Sequence, residues 1–205
     1  MAGFVNKFYS LGYNVLAADA RAHGDSEGTK IGMGWPERFD VIEWIKLIIS
    51  WEPNAQIILH GVSMGAATVL MASGEELPEN VKVIIADCGY TSEWDEFKCE
   101  ANALHIPWFP VLNAASVMSR LRDGYDFKQA SALEQVKQSR IPTLFIHGSD
   151  DELVPYSMLD KLYSAAACEK ECLTVNGAGH ALSSSVEPEL YWNTVESFIE
   201  KYSEK

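Results

Sequence analysis

Gly61-x-Ser63-x-Gly65 lies between a short apolar run, Gln56-Ile57-Ile58-Leu59-His60, and an Ala/Leu/Met-rich run from Ala66 to Ser73. The first run predicts a buried strand and the second a helix. A serine at such a junction is forced into a strained reversal, and glycines two places to either side are expected to leave room for it. Its hydroxyl then stands clear of the sheet. The following helix aims its free N–H groups and positive dipole end at the same spot, which suits an oxyanion forming on a carbonyl under attack. Ala66 and Ala67 are small enough for that helix to sit close to the strand.

A serine hydroxyl is a poor nucleophile until a base takes its proton, and a neutral imidazole oriented by a carboxylate is the usual device. Among the five histidines, His180 is the best placed, in Asn176-Gly177-Ala178-Gly179-His180-Ala181 directly after a predicted strand end. The carboxylate is expected on another such loop. His147-Gly148-Ser149-Asp150-Asp151-Glu152-Leu153-Val154-Pro155 offers Asp150, Asp151 and Glu152, and Asp87 at the end of a further strand is an alternative. His60 and His147 fall at strand ends and read as structural. His105 has no argued role, and Asp150 reads as a residue that solvates its loop.

The elements that would position these groups follow from periodicity. Phe4, Val5, Phe8 and Leu11 predict an opening helix over residues 2–11 capped by Gly12. Strands are predicted at 13–18, 56–60, 81–86, 142–147 and 171–175. Helices are predicted from Pro36 to about Ser50, from Pro155 to about Ala167 and from Pro188 to about Tyr202. Residues 89–140 hold helical segments and an aromatic cluster (Trp94, Phe97, Trp108, Phe109, Tyr125, Phe127) but no strand, which reads as a helical cap insertion. Strand and helix otherwise alternate, giving an α/β fold with a parallel sheet whose ligands sit beyond the carboxyl ends of the strands.

The 205 residues are 47% hydrophobic, enough for one globular domain, 1–205. Sixteen basic against twenty-nine acidic residues leave a net charge of −13, which disfavours nucleic acid and anionic membrane and favours a small-molecule or uncharged substrate. Four cysteines without paired C-x-x-C spacing predict neither a disulfide scaffold nor a zinc site. With no bilayer-spanning run and no signal-type start, a cytoplasmic location is expected.

The order Ser, Asp, His, with the motifs above, resembles the α/β-hydrolases across the whole chain. More narrowly it is similar to bacterial dienelactone-hydrolase and prolyl-oligopeptidase-like serine hydrolases, which carry H-G-x-x-D-x-x-V-P and G-A-G-H. That resemblance places the acid on Asp151, in register with Val154 and Pro155, and the base on His180. It also implies an oxyanion donor at the Met64 backbone N–H and no metal or organic cofactor. Asp19-Ala20-Arg21-Ala22-His23-Gly24-Asp25-Ser26 resembles the D-x-R-G-H-G-x-S loop beside the site, with Ala22 where glycine is usual and His23 a candidate substrate contact. The implied activity is cleavage of a carboxylic ester or related acyl compound. Two alternatives are a peptidase or amidase and a catalytically silent assembly module.

The resemblance also implies a second oxyanion donor, on a loop marked His-Gly after a strand that precedes the first helix. No such strand or loop precedes residue 2. A missing middle strand would leave two rows of backbone groups unpaired, at about 1–3 kcal/mol for each buried group. Flanking strands could close the gap, or a second copy of the chain could fill it. The expectation is instead that Met1-Ala2-Gly3-Phe4 lies inside a longer protein.

Overall fold

A computed structural model of the protein describes residues 1–203 and divides the chain into two compact units, Met1–Ile31 and Gly32–Lys205. In the first unit, α1 (Ala2–Ser10) ends where the Leu11 N–H donates to the Lys7 and Phe8 carbonyl oxygens, and Gly12 turns the chain at φ +93°. Phe8 packs edge-on against Tyr13, with ring centroids 6.0 Å apart. The strand predicted over 13–18 is not formed, and Val15 and Leu16 are exposed. An extended segment becomes a strand only when a neighbour takes up its N–H and C=O groups. No described segment does so here.

The polar loop that follows is tied to itself. The Asp25 N–H and the Ser26 hydroxyl both donate to Asp19, at 3.2 and 2.8 Å, and the Ala22 N–H donates to the Glu27 carbonyl at 3.1 Å. Ala22 sits at φ +59°, in the left-handed region where glycine carries no steric penalty.

The second unit is a four-stranded parallel sheet in the order β1-β2-β3-β4, with helices between the strands. α2 (Glu37–Trp51) leads to β1 (Ile57–Val62), followed by α3 (Met64–Ala72) and β2 (Val81–Asp87). Then come α4 (Glu93–Ala103), α5 (Trp108–Asp123) and α6 (Ala132–Val136). β3 (Thr143–Gly148), α7 (Ser157–Ala165), β4 (Lys170–Val175), α8 (Ser183–Val186) and α9 (Pro188–Tyr202) complete it. Val83, Ile84 and Ile85 of β2 and Leu144 and Ile146 of β3 are completely buried, as apolar strands covered on both faces should be. Ala66, Ala67, Leu70 and Met71 of α3 are equally buried, so the small residues do allow the close helix-to-sheet approach.

The insertion closes on itself. Ser92 and Ser131 form an isolated antiparallel bridge, and each caps a helix by accepting from a backbone N–H, of Asp95 at 3.0 Å and of Glu134 at 3.2 Å. Its aromatic residues pack on each other: Phe97 on Phe127 at 5.0 Å, and Trp108 on both Trp94 and Phe109 at 6.4 and 6.2 Å.

The register aligns the carboxyl ends of the strands. Val62 pairs with Asp87, Asp87 with Ile146, and Gly148 with Val175. The ladder runs one residue past the strands, because the Ser63, Cys88 and Ser149 N–H groups donate to Asp87, Ile146 and Val175 at 2.8, 2.8 and 3.0 Å. All the loops that carry chemistry therefore leave the sheet at one level.

Candidate active site

Ser63 is the single residue between β1 and α3, at φ 54°, ψ −118°, a conformation disfavoured for any residue with a Cβ. It persists because its neighbours determine it. The Ser63 N–H is held by Asp87, and the Ser63 carbonyl accepts the Ala67 N–H at 3.0 Å. A Cβ on Gly61 would stand 2.2 Å from the Gly65 carbonyl oxygen, so that position must be glycine. Gly65 departs from expectation: a Cβ there meets nothing within 4 Å. The sharp reversal needs one glycine for its own backbone, not two. Met64 opens α3, and its N–H therefore falls in the first turn, which has no intrahelical acceptor.

His180, on the loop after β4, reaches Ser63: its Nε2 lies 2.8 Å from the Ser63 Oγ. Its Nδ1 lies 2.9 Å from Asp151 Oδ2. The carboxylate can only accept, so Nδ1 carries the proton and Nε2 is free to accept from the hydroxyl. Asp151 Oδ1 accepts the backbone N–H groups of Leu153 and Val154 at 3.0 and 2.9 Å. The tight turn after β3 thus anchors one oxygen and leaves the other for the imidazole.

The electrostatics follow from burial and these bonds. Burial alone would raise Asp151, but hydrogen bonds from His147, His180 and the Val154 N–H overcome it and hold the carboxyl well below the usual range. The bond to Asp151 raises His180 above its ordinary 6.5, against partial burial, with Glu96 and Asp87 adding to the rise. Asp87 has no hydrogen-bond partner of good geometry, although the Tyr191 and Ser183 hydroxyls face it, and burial pushes it up to about 6. In the cap, burial pushes Glu96 up to about 7 and Glu93 up to about 8, with Glu100 acting on the first and Glu37 and Asp123 on the second. One donor atom each of Cys88, Asp151 and His180 lie within 4.8 Å of one another, a set a soft divalent cation could bridge. Burial pushes the Cys88 thiol up, which opposes the thiolate such binding requires.

Ser63, Asp151 and His180, far apart in sequence, thus form one hydrogen-bonded chain, whereas Asp87 makes no bond to the imidazole. Asp150 is exposed and accepts from the Ser149 hydroxyl at 2.7 Å. His60 meets the Tyr191 hydroxyl at 3.2 Å, and burial lowers it to about 4, so it is neutral at pH 7. His105 follows α4 at φ +56°. His23 belongs to the Met1–Ile31 unit, where its Nδ1–H donates to the Arg21 carbonyl at 3.0 Å. His147, read from the sequence as structural, lies beside the acid: its Nε2 is 3.3 Å from Asp151 Oδ2. The signal was present in the His-Gly pair that ends β3 four residues before the acid.

Comparison with known proteins agrees with this architecture. The esterase Pf2001 of Pyrococcus furiosus superposes with a TM-score of 0.78 at 24% identity, over 98% of this chain and 76% of that one. The fold is that of the α/β-hydrolases. The uncharacterized protein YqkD of Bacillus subtilis is 30% identical over 203 residues, 98% of this chain and 67% of its own length. The lysophosphatidylserine lipase ABHD12 of Macaca fascicularis is 31% identical over 159 residues, 77% of this chain but 39% of its own length. Among the described residues no helix is long and apolar enough to cross a membrane. With the prolyl oligopeptidase family model matching residues 6–205, the chain belongs to that family of hydrolases.

Proposed function

We propose that the protein is a serine hydrolase that cleaves carboxylic esters or related acyl compounds through an acyl-enzyme. The observation that carries this reading is the unbroken chain from Ser63 Oγ through His180 to Asp151, at 2.8 and 2.9 Å. Ser63 Oγ attacks the acyl carbon while its proton passes to His180 Nε2, and the imidazolium is stabilised by Asp151. The carbonyl oxygen gains the negative charge and is met by the Met64 N–H at the start of α3. Collapse expels the alcohol, which takes the proton from His180. Water then repeats the sequence on the acyl-serine and releases the acid, with no metal or organic cofactor taking part.

A serine-directed fluorophosphonate and a series of short p-nitrophenyl esters test the reading. Labelling and turnover that Ser63→Ala abolishes, in protein that stays folded, are expected. Folded protein that neither labels nor turns over would leave only an assembly role. The family match favours a second reading, amide or peptide cleavage by the same residues. Faster hydrolysis of aminoacyl anilides than of the matching esters would select it.

A further inference from the structure

Asp151 needs more than its turn to hold it in place. Its Oδ1 is fixed by two backbone N–H groups, but Oδ2, the oxygen that serves His180, is reached by one other side-chain donor, the His147 imidazole at 3.3 Å. His147 has its tautomer imposed: Nε2 lies 2.9 Å from the Val154 carbonyl oxygen, which can only accept, so Nε2 carries the proton. The N–H is directed at the Val154 oxygen, and Asp151 Oδ2, 3.3 Å from the same nitrogen, lies beside it in a weaker, bent contact. The ring itself cannot swing away. It is 1% exposed at the buried end of β3, and Tyr156 packs edge-on against it at 5.9 Å. Tyr156 is held in turn by its hydroxyl contact with Thr174 at 2.7 Å. His147 Nδ1 is buried without a hydrogen-bond partner.

We infer that His147 is a positioning residue for the reaction: its Nε2–H holds the Asp151 carboxylate in the orientation that presents Oδ2 to His180. The inference rests on the serine hydrolase reading above. Two functions follow from this contact. It blocks rotation of the carboxylate about its Cβ–Cγ bond, so the bond to His180 keeps its length and angle through turnover. It also occupies a lone pair of Oδ2 and keeps the carboxylate a weak base, which leaves the proton on His180 Nδ1 and not on Asp151.

Leu and Gln at position 147 separate this role from simple packing. Leu fills the buried volume without a donor, whereas the Gln side-chain nitrogen can reach the place of Nε2. His147→Leu should lower kcat by about ten- to a hundredfold, the size of one hydrogen bond to a charged group, with KM changing little. It should also move the acid limb of the kcat/KM profile upward, because a carboxylate without its second donor is more basic and stabilises the imidazolium more. His147→Gln should recover most of the rate and return the limb to the wild-type position. The other groups that set the titration of His180, namely Asp151, Glu96 of α4 and Asp87 of β2, are unchanged in both variants.

Equal losses in the Leu and Gln variants, with an unmoved acid limb or with rates that follow the fall in Tm, would overturn the role of His147. Wild-type rates in the Leu variant would do the same while Ser63→Ala and His180→Ala stay inactive, so the triad reading would survive. If the wild-type protein shows no turnover dependent on Ser63, both inferences fail together.

Discussion

Replacing Asp151 by Asn is the most discriminating perturbation of the site. The asparagine is nearly isosteric, and its carbonyl oxygen must take the position of Oδ1, because there it accepts the Leu153 and Val154 N–H groups at 3.0 and 2.9 Å. The flipped amide would leave two donors facing an NH2 group, at about 1–3 kcal/mol for each buried group left unpaired. The NH2 therefore faces His180 Nδ1, 2.9 Å away in the native protein, and donates to it. The imidazole is then driven into the other tautomer, with its proton on Nε2 and pointing at the Ser63 hydroxyl. A base that already carries the proton cannot accept one, and no carboxylate remains to stabilise the imidazolium. A fall in kcat of about ten-thousandfold is expected, close to 5 kcal/mol, with KM little changed and Tm modestly lowered, because the NH2 then also faces the His147 Nε2–H, 3.3 Å from Oδ2 in the native protein. Steady-state hydrolysis of a p-nitrophenyl ester between pH 5 and 9, beside thermal unfolding, measures both. Activity within tenfold of wild type would refute the argument, since another group, with Glu96 and Asp87 the candidates, would then orient His180.

The remaining predictions concern pH and backbone. Because the Asp151 bond raises His180 above 6.5, the wild-type kcat/KM should rise with pH through a midpoint above 6.5 and be lost below it; a midpoint at or under 6 would contradict the bond. Burial raises Asp87 from 3.8 to about 6, so the unfolded chain ionises first and stability falls as pH rises across that window, by about 3 kcal/mol. Glu96 and Glu93 continue the same decline toward pH 8. Neutral His60, lowered by burial to about 4, adds an opposing rise in stability between about pH 4 and 6.5, so urea denaturation at pH 4.5, 6 and 8 should show the Asp87 decline as the difference between wild type and Asp87→Asn, with the variant the more stable at pH 7. Gly61→Ala should lower Tm sharply or prevent folding, because its Cβ would meet the Gly65 carbonyl oxygen at 2.2 Å, whereas Gly65→Ala should keep the wild-type Tm.

Four strands of the sheet and the major helices of the Gly32–Lys205 unit were legible because their apolar periods are strong and their ends carry glycine or proline. The segment at 13–18 has an equally apolar composition but no strand, since pairing depends on a neighbour and not on the segment. The reversal at Ser63 was legible in the spacing of the glycines, but spacing could not say which glycine is required: that depends on where the Gly65 carbonyl lies when α3 packs close. Position left the acid between the loop after residue 147 and Asp87, and the motif pointed to Asp151; its bonds to His180 and two backbone N–H groups exist only once β3 and β4 are in register.

Residue types, their order and the periodicity around them were determined by the sequence alone: a serine at a strand-to-helix junction, a carboxylate and an imidazole after later strands, and an acidic composition. Convergence was decided by tertiary structure, because the alignment of four strand ends sets the 2.8 and 2.9 Å contacts that join residues 63, 180 and 151. The place of His147 behind the carboxylate, and the burial that raises Asp87, Glu93 and Glu96, belong to the same level. A side chain's solvation and its hydrogen-bond partners are properties of what surrounds it in space, and no local stretch of sequence carries them.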